Sequence, residues 1–345
     1  MVQAIIMEMG LQHDFMDRSE KIETIYFGGG TPSLLDSSEL NAIMNQIHRQ
    51  FSVVADAEVT LEANPDDVKK MNIDTWSSSG INRYSIGIQS FSDKELKWMN
   101  RAHDSHQALE SIKLLQDQGI RNISTDLIFG GPFVSDDELH EHIDILVSHQ
   151  IPHVSAYALT VENKTILHHQ IKTNQLAELD SEKQSLQFLL TGDLLGSAGY
   201  EHYEISNYAM PGMRSRHNSS YWQGKPYYGF GPSAHSFNGK NIRRWNMANN
   251  AMYVSNIKKG LLPAEEEILT NEQQINEYIM TSLRTMEGID MEYVSAHFGS
   301  DVEKKIMHLL SKHIDSGKVI VQAHHAQLSR EGKLFADGIA ADLFL

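Results

Sequence analysis

The chain has 345 residues, of which 41% are hydrophobic and 21% charged, the balance of a globular protein with a sizeable core. Its 29 Lys and Arg against 45 Asp and Glu leave a formal charge of −16, which excludes a phosphate-gripping nucleic-acid binder and disfavours anionic membrane surfaces. There is no cysteine, so disulfides, thiolate nucleophiles and cysteine-held iron–sulfur clusters are excluded for the chain as given.

The opening stretch carries acids at Glu8 and Asp14 and no basic run, so it does not read as a secretory signal and the expected compartment is the cytoplasm. Val2, Ile5, Ile6 and Met9 form a helical stripe with no cap and no strand before it. A domain of βα repeats opens on a strand, so one upstream strand with its loop is expected to be missing. Strands are predicted at 22–27, 57–62, 83–88, 123–129 and 153–159, each short, apolar and rich in β-branched residues. The expected strand would bring the count to six.

Between them run helical patterns. Leu40, Ile43, Met44, Ile47 and Phe51 share one face, with Ser37 and Ser38 as caps. Ser92 to Glu95 and Ser135 to Glu138 read as capping boxes, and Gly119 ends a helix carrying Ala108, Ile112 and Leu115. Repeated βα units mean a parallel sheet. Polar residues near the strand ends, Glu62, Gln89 and Asp126, favour a barrel or part-barrel, where that rim holds the chemistry.

Beyond Asp180 the alternation stops. A helix is predicted over 181–199, one alternating strand over 202–209, an irregular aromatic stretch over 211–250 and a linker over 261–267. Helices near 270 and 301–315, then VIVQ at 319–322 with a hairpin, suggest a small winged-helix-like α+β end domain. The expected division is 1–180 for the part-barrel, 181–262 for a region completing and covering it, and 263–345 for the end domain.

Gly28, Gly29 and Gly30 with Thr31 and Pro32 at a strand end leave backbone open to a polar ligand. They fit neither a P-loop nor a dinucleotide fingerprint. Glu62, Gln89 and Asp126, with Arg101 beyond the next helix, suit a ligand with an amine, a carboxylate and vicinal hydroxyls. A second cluster holds His217, Asn218, Tyr221 and Trp222, followed by aromatics, glycines and His235. Either it lines a large flat ligand, with the histidines on haem iron or on a carboxylate, or it is a lid whose histidines are satisfied by hydrogen bonds.

FGGGTPSLL (27–35), LEANPDD (61–67), INRYSIGIQSF (81–91), MNRAH (99–103), STDLIFGGP (124–132) and HNSSYW (217–222) stand in this order. Together they resemble the radical S-adenosylmethionine proteins grouped as oxygen-independent coproporphyrinogen III oxidase-like, with HNSSYW pointing to the haem-chaperone branch. The resemblance covers essentially the whole chain and implies a partial (β/α)6 barrel. It implies S-adenosyl-L-methionine held by Gly29, Gly30, Thr31 and Glu62, with Arg101 on its carboxylate and Gln89 and Asp126 on its ribose. His217 becomes a candidate haem contact.

The family also holds a [4Fe–4S] cluster through a CxxxCxxC loop after its first strand. This chain has no such loop, so as given it is expected to be unable to cleave S-adenosylmethionine reductively. The expected function is haem binding and transfer to an acceptor protein, with membrane association only through that acceptor. The alternative is oxygen-independent coproporphyrinogen III dehydrogenation.

Overall fold

The computed structural model describes residues 1–12, 15, 17 and 19–345. Asp14, the second acid of the opening stretch, lies outside the described residues. The chain opens on α1 (Val2–Leu11), whose N-cap, Met1, offers no side-chain hydrogen bond. Five βα steps follow. They comprise β1 (Lys21–Phe27), α2 (Ser37–Gln50), β2 (Ser52–Ala63), α3 (Lys70–Ser78), β3 (Arg83–Gln89), α4 (Asp93–Trp98), α5 (Ser105–Asp117), β4 (Ile123–Phe129), α6 (Asp136–Ser148) and β5 (His153–Ala158).

β1 to β5 pair in parallel, in sequence order, in a curled half-barrel. Both faces of such a sheet are covered, so its strands are close to uniformly apolar. Leu61, Ile86, Ile88, Leu127 and Val154 are fully buried, as are Leu40, Ile112, Leu139 and Leu146 on the helices packed outside. β1 is the edge of the sheet.

Capping chemistry sets several helix starts, not always through the expected residue. α2 is capped by Asp36 in a reciprocal box with Glu39, one residue ahead of the predicted serines. The Ser135–Glu138 box forms as predicted. Ser92 caps nothing with its side chain, because Glu95 is fully buried and turned inward.

After α7 (Ile166–Lys172) and α8 (Ser181–Ser197), the strand expected over 202–209 is two strands, β6 (Glu201–Glu204) and β7 (Asn207–Ala209). They fold back on each other and add to β5 antiparallel, closing the far side of the sheet. The stretch read as irregular contains α9 (Arg216–Trp222), β8 (His235–Phe237), β9 (Ile242–Asn246) and α10 (Asn250–Lys258). The expected linker is instead β10 (Ala264–Ile268), paired along its length with β9.

The C-terminal part contains α11 (Asn271–Leu283), β11 (Ile289–Asp290), α12 (Met291–Phe298), α13 (Ser300–Asp315), β12 (Val319–Gln322), β13 (His325–Leu328) and α14 (Ala336–Asp342). It has its own core around Ile279, Leu283, Val294, Ile306, Leu310 and Ile339. Its three strands pair as β11-β13-β12. Among the described residues no helix is long and apolar enough to cross a membrane.

Candidate functional site

The polar rim lies where the parallel strands end. Tyr26 on β1 donates its hydroxyl to Glu62 Oε1 at 2.7 Å, and the Gly29 N–H donates to Glu62 Oε2 at 3.1 Å. Glu62 thus ties the glycine loop to two strands while staying only partly buried. A Cβ at Gly28 would stand 2.5 Å from the Tyr26 ring and 2.9 Å from Glu62, so the side-chain-free backbone is what lets that carboxylate sit there. Gly29 and Gly30 have φ of 75° and 69° with open space around them, a left-handed path that leaves their peptides and exposed Thr31 facing outward.

Two strands along, Arg101 donates to Asn64 Oδ1 at 2.7 Å and to the Gly87 carbonyl at 3.4 Å, while its buried Nε has no partner. A Cβ at Gly87 would lie 2.9 Å from Gln89 Nε2 and 3.4 Å from Arg101, so Gln89 and Arg101 meet over that glycine. Gln89 itself has φ of 66°.

Asp126 sits in the middle of β4, not at its end as read from sequence. Desolvation is the main cause that raises its pKa to about 7. A Ser155 hydrogen bond and the Arg101 and Arg83 charges oppose the rise, while Glu62 adds to it. Tyr157, also facing Asp126, is pushed up to about 12, chiefly by desolvation. The structure therefore brings Glu62, Gln89 and Arg101 to one rim, with Asp126 set back along β4 but within reach of the Glu62 and Arg101 charges. They form a set with two carboxylates, one fixed cation and a Gly-lined backbone.

The second cluster is differently built. His217 Nδ1 lies 2.9 Å from Thr24 Oγ1, and its Nε2 lies 3.2 Å from the Tyr221 hydroxyl. Its ring stacks on Tyr26 at 4.7 Å. Burial lowers its pKa to about 4. Glu58, buried on β2, accepts from the Arg216 and His217 N–H groups at 3.2 and 3.0 Å and so caps α9 from outside. Asn218 donates its N–H to the Ser215 cap. Trp222 lies under the Arg284 guanidinium, and its indole N–H has no partner.

His235, by contrast, is exposed, with only a stacking contact to Trp245 at 6.3 Å. A groove of about 870 Å³ runs along the free edge of β1 between α1, α2 and the 226–235 loop. Its walls include Val2, Ile5, Ile43, Ile47, Phe51, Tyr227 and Phe230, with His217, His235, Lys21 and Lys225 also facing it.

Sequence reasoning missed Glu8. It is fully buried on α1 and accepts from the Gly231 N–H at 2.8 Å and from the side chains of Gln12, Asn246 and Tyr253. Burial raises its pKa against those donors. The signal was available as an acid inside the Ile5–Met9 stripe, but apart from Gln12 its partners lie more than 200 residues away.

The residues present fit S-adenosylmethionine at the rim, given the orphaned Arg101 Nε and the glycine cradles. They do not fit a cysteine-ligated cluster, since the chain has no cysteine. Among the described residues no group of three or more His, Asp or Glu is placed to hold a metal ion.

Comparison with known proteins agrees with this layout. The Radical SAM superfamily model matches residues 14–146 and the HemN C-terminal domain model matches 269–335. The heme chaperone HemW of Lactococcus lactis is 32% identical over 83% of this chain and 75% of its own length. HemW of Escherichia coli is 31% identical over 95% and 85%. The structure of coproporphyrinogen III oxidase HemN from Escherichia coli superposes with a TM-score of 0.83 at 21% identity, covering 99% of this chain and 82% of that one, which shows a common fold. The chain belongs to the HemN-like radical SAM family, with the heme chaperone HemW proteins among its relatives.

Proposed function

We propose that this protein binds haem and passes it to an acceptor protein in the cytoplasm, as a HemW-like member of its family, and that it takes S-adenosylmethionine at the strand-end rim. One observation carries the haem reading. The groove beside β1 has apolar and aromatic walls suited to a porphyrin face, with exposed His235 and Lys21 suited to iron and a propionate and Lys225 paired with Glu23 at 3.1 Å.

At the rim, Glu62 and the Gly29–Thr31 backbone would receive the amine of S-adenosylmethionine, Arg101 its carboxylate, and Gln89 and Asp126 its ribose hydroxyls. When bound, this group offers a sulfonium whose reductive cleavage needs an electron donor. The chain has no cysteine to hold the family's cluster, so it supplies no electron donor of its own. The roles of the chain's own residues here are to bind and orient.

Titration of the purified chain with haem tests the reading. A saturable Soret shift that weakens in His235→Ala is expected, and no Soret shift would sink it. Turnover of coproporphyrinogen by this chain would instead establish the dehydrogenase alternative.

A further inference from the structure

The end of β3 is bent in an unusual way. Gln89 has φ of 66°, a left-handed value that costs a non-glycine residue energy. The Ser90 N–H donates to the Ile88 carbonyl at 2.8 Å, which closes a three-residue turn about Gln89, the strained γ-turn form. Pairing with β4 slips there, with Ile86 opposite Thr125 but Gln89 opposite Leu127, so β3 carries one extra residue. The bend re-aims the Gln89 side chain towards Arg101 above Gly87.

A strained turn persists only where its surroundings hold it. Two side chains from one short loop do so here. Arg101 donates to the Gly87 carbonyl at 3.4 Å, and His103 Nε2 lies 3.0 Å from the Ile88 carbonyl, the one that also closes the turn. His103 is 3% exposed. Burial and the neighbouring Arg101 charge lower its pKa, although the Ile88 bond and Asp66 and Asp104 pull the other way. A carbonyl can only accept, so the Nε2 facing the Ile88 oxygen must carry a proton.

We infer that His103 is a positioning residue for the rim: it holds the turn at Gln89, and through it the Gln89 and Arg101 side chains, in the arrangement that receives an adenosyl ligand. This rests on the proposed S-adenosylmethionine site, so the test separates the two. Amide hydrogen exchange at Ser90 reads the turn without ligand. Calorimetric titration with S-adenosylhomocysteine reads the site.

In His103→Leu, Ser90 exchange is expected to rise about tenfold, and affinity for S-adenosylhomocysteine to fall about tenfold, the scale of one released strained residue. His103→Gln places an N–H donor near the Nε2 position, so it should restore both readouts to within about twofold. A role in packing alone would move the thermal midpoint but not separate Gln from Leu. Unchanged Ser90 exchange in His103→Leu, or equal binding by both variants, overturns the inference. Failure of the wild-type chain to bind S-adenosylhomocysteine, with Ser90 exchange still accelerated, overturns the ligand site and leaves the turn clamp standing.

Discussion

The strand-end rim and the α9 motif lie on the same strands and treat their polar groups in opposite ways. At the rim, the Arg101 Nε has no partner, Gln89 is held in a strained turn, and Asp126 is kept near neutrality by desolvation. At α9, His217 is engaged at both ring nitrogens and capped through its own N–H by Glu58. Buried polar groups are normally satisfied. A set of groups that departs from this is open to a ligand, whereas a saturated side chain such as His217 is occupied within the fold, even though the Trp222 indole N–H on the same helix is unpartnered. By that criterion His217 is tied between α9 and β1, whereas His235 is exposed on the groove wall and is the histidine the proposed haem reading would use.

The comparison is broken most severely by removing the acceptors that fix the saturated side. Glu8→Ala strips four donors of one buried acceptor and unpins α1 from the 229–231 loop. It should cost about 3 kcal/mol or more in urea denaturation. Glu8→Gln, which keeps an acceptor, should cost about 1 kcal/mol. Equal losses would mean the carboxylate's four bonds are not individually needed. Glu58→Ala leaves two α9 N–H groups without their acceptor and removes the carboxylate that pairs with buried Arg83 at 4.0 Å, and should cost about 2 kcal/mol. α9 has only seven residues and cannot hold its helix without a cap and packing. Haem binding through His235 should survive this change better than haem binding through His217, which a paired Soret titration distinguishes.

How much of this was legible follows from the range of each interaction. β4 runs over Ile123–Phe129, residue for residue as its apolar pattern predicted, because burial on both faces writes itself into local sequence. Rim residues were legible for a similar reason, since a polar side chain on such a strand stands out. β10 was not. Its AEEEI sequence is largely exposed, and it joins β9 through backbone bonds and a cross-strand Arg244–Glu266 ion pair whose partner lies 22 residues away, so no apolar alternation marks it as a strand. Glu8 and Glu58 were missed because all their donors but Gln12 lie some 160 to 245 residues away. The turn at Gln89 was equally hidden, because it depends on His103 folding back fourteen to fifteen residues later.

The smallest expected effect is the sharpest test of the criterion. Asp126 has a pKa near 7 in the folded protein against an ordinary value of 3.8. A carboxyl raised in this way binds a proton that the unfolded chain has already lost, so it lowers stability progressively as pH rises from about 4 to about 7. Asp126→Asn removes that penalty. It should raise stability by about 1 kcal/mol at pH 8, discounted for partial exposure, and by nothing measurable at pH 4. The same variant should bind S-adenosylhomocysteine more weakly at pH 8, because the ionised acceptor is gone. Thermal melts at the two pH values and one titration check both halves. A residue kept for folding would lose stability on substitution, whereas one kept for a ligand gains stability and loses binding. Loss of stability at pH 8 would place Asp126 among the groups that hold the fold together.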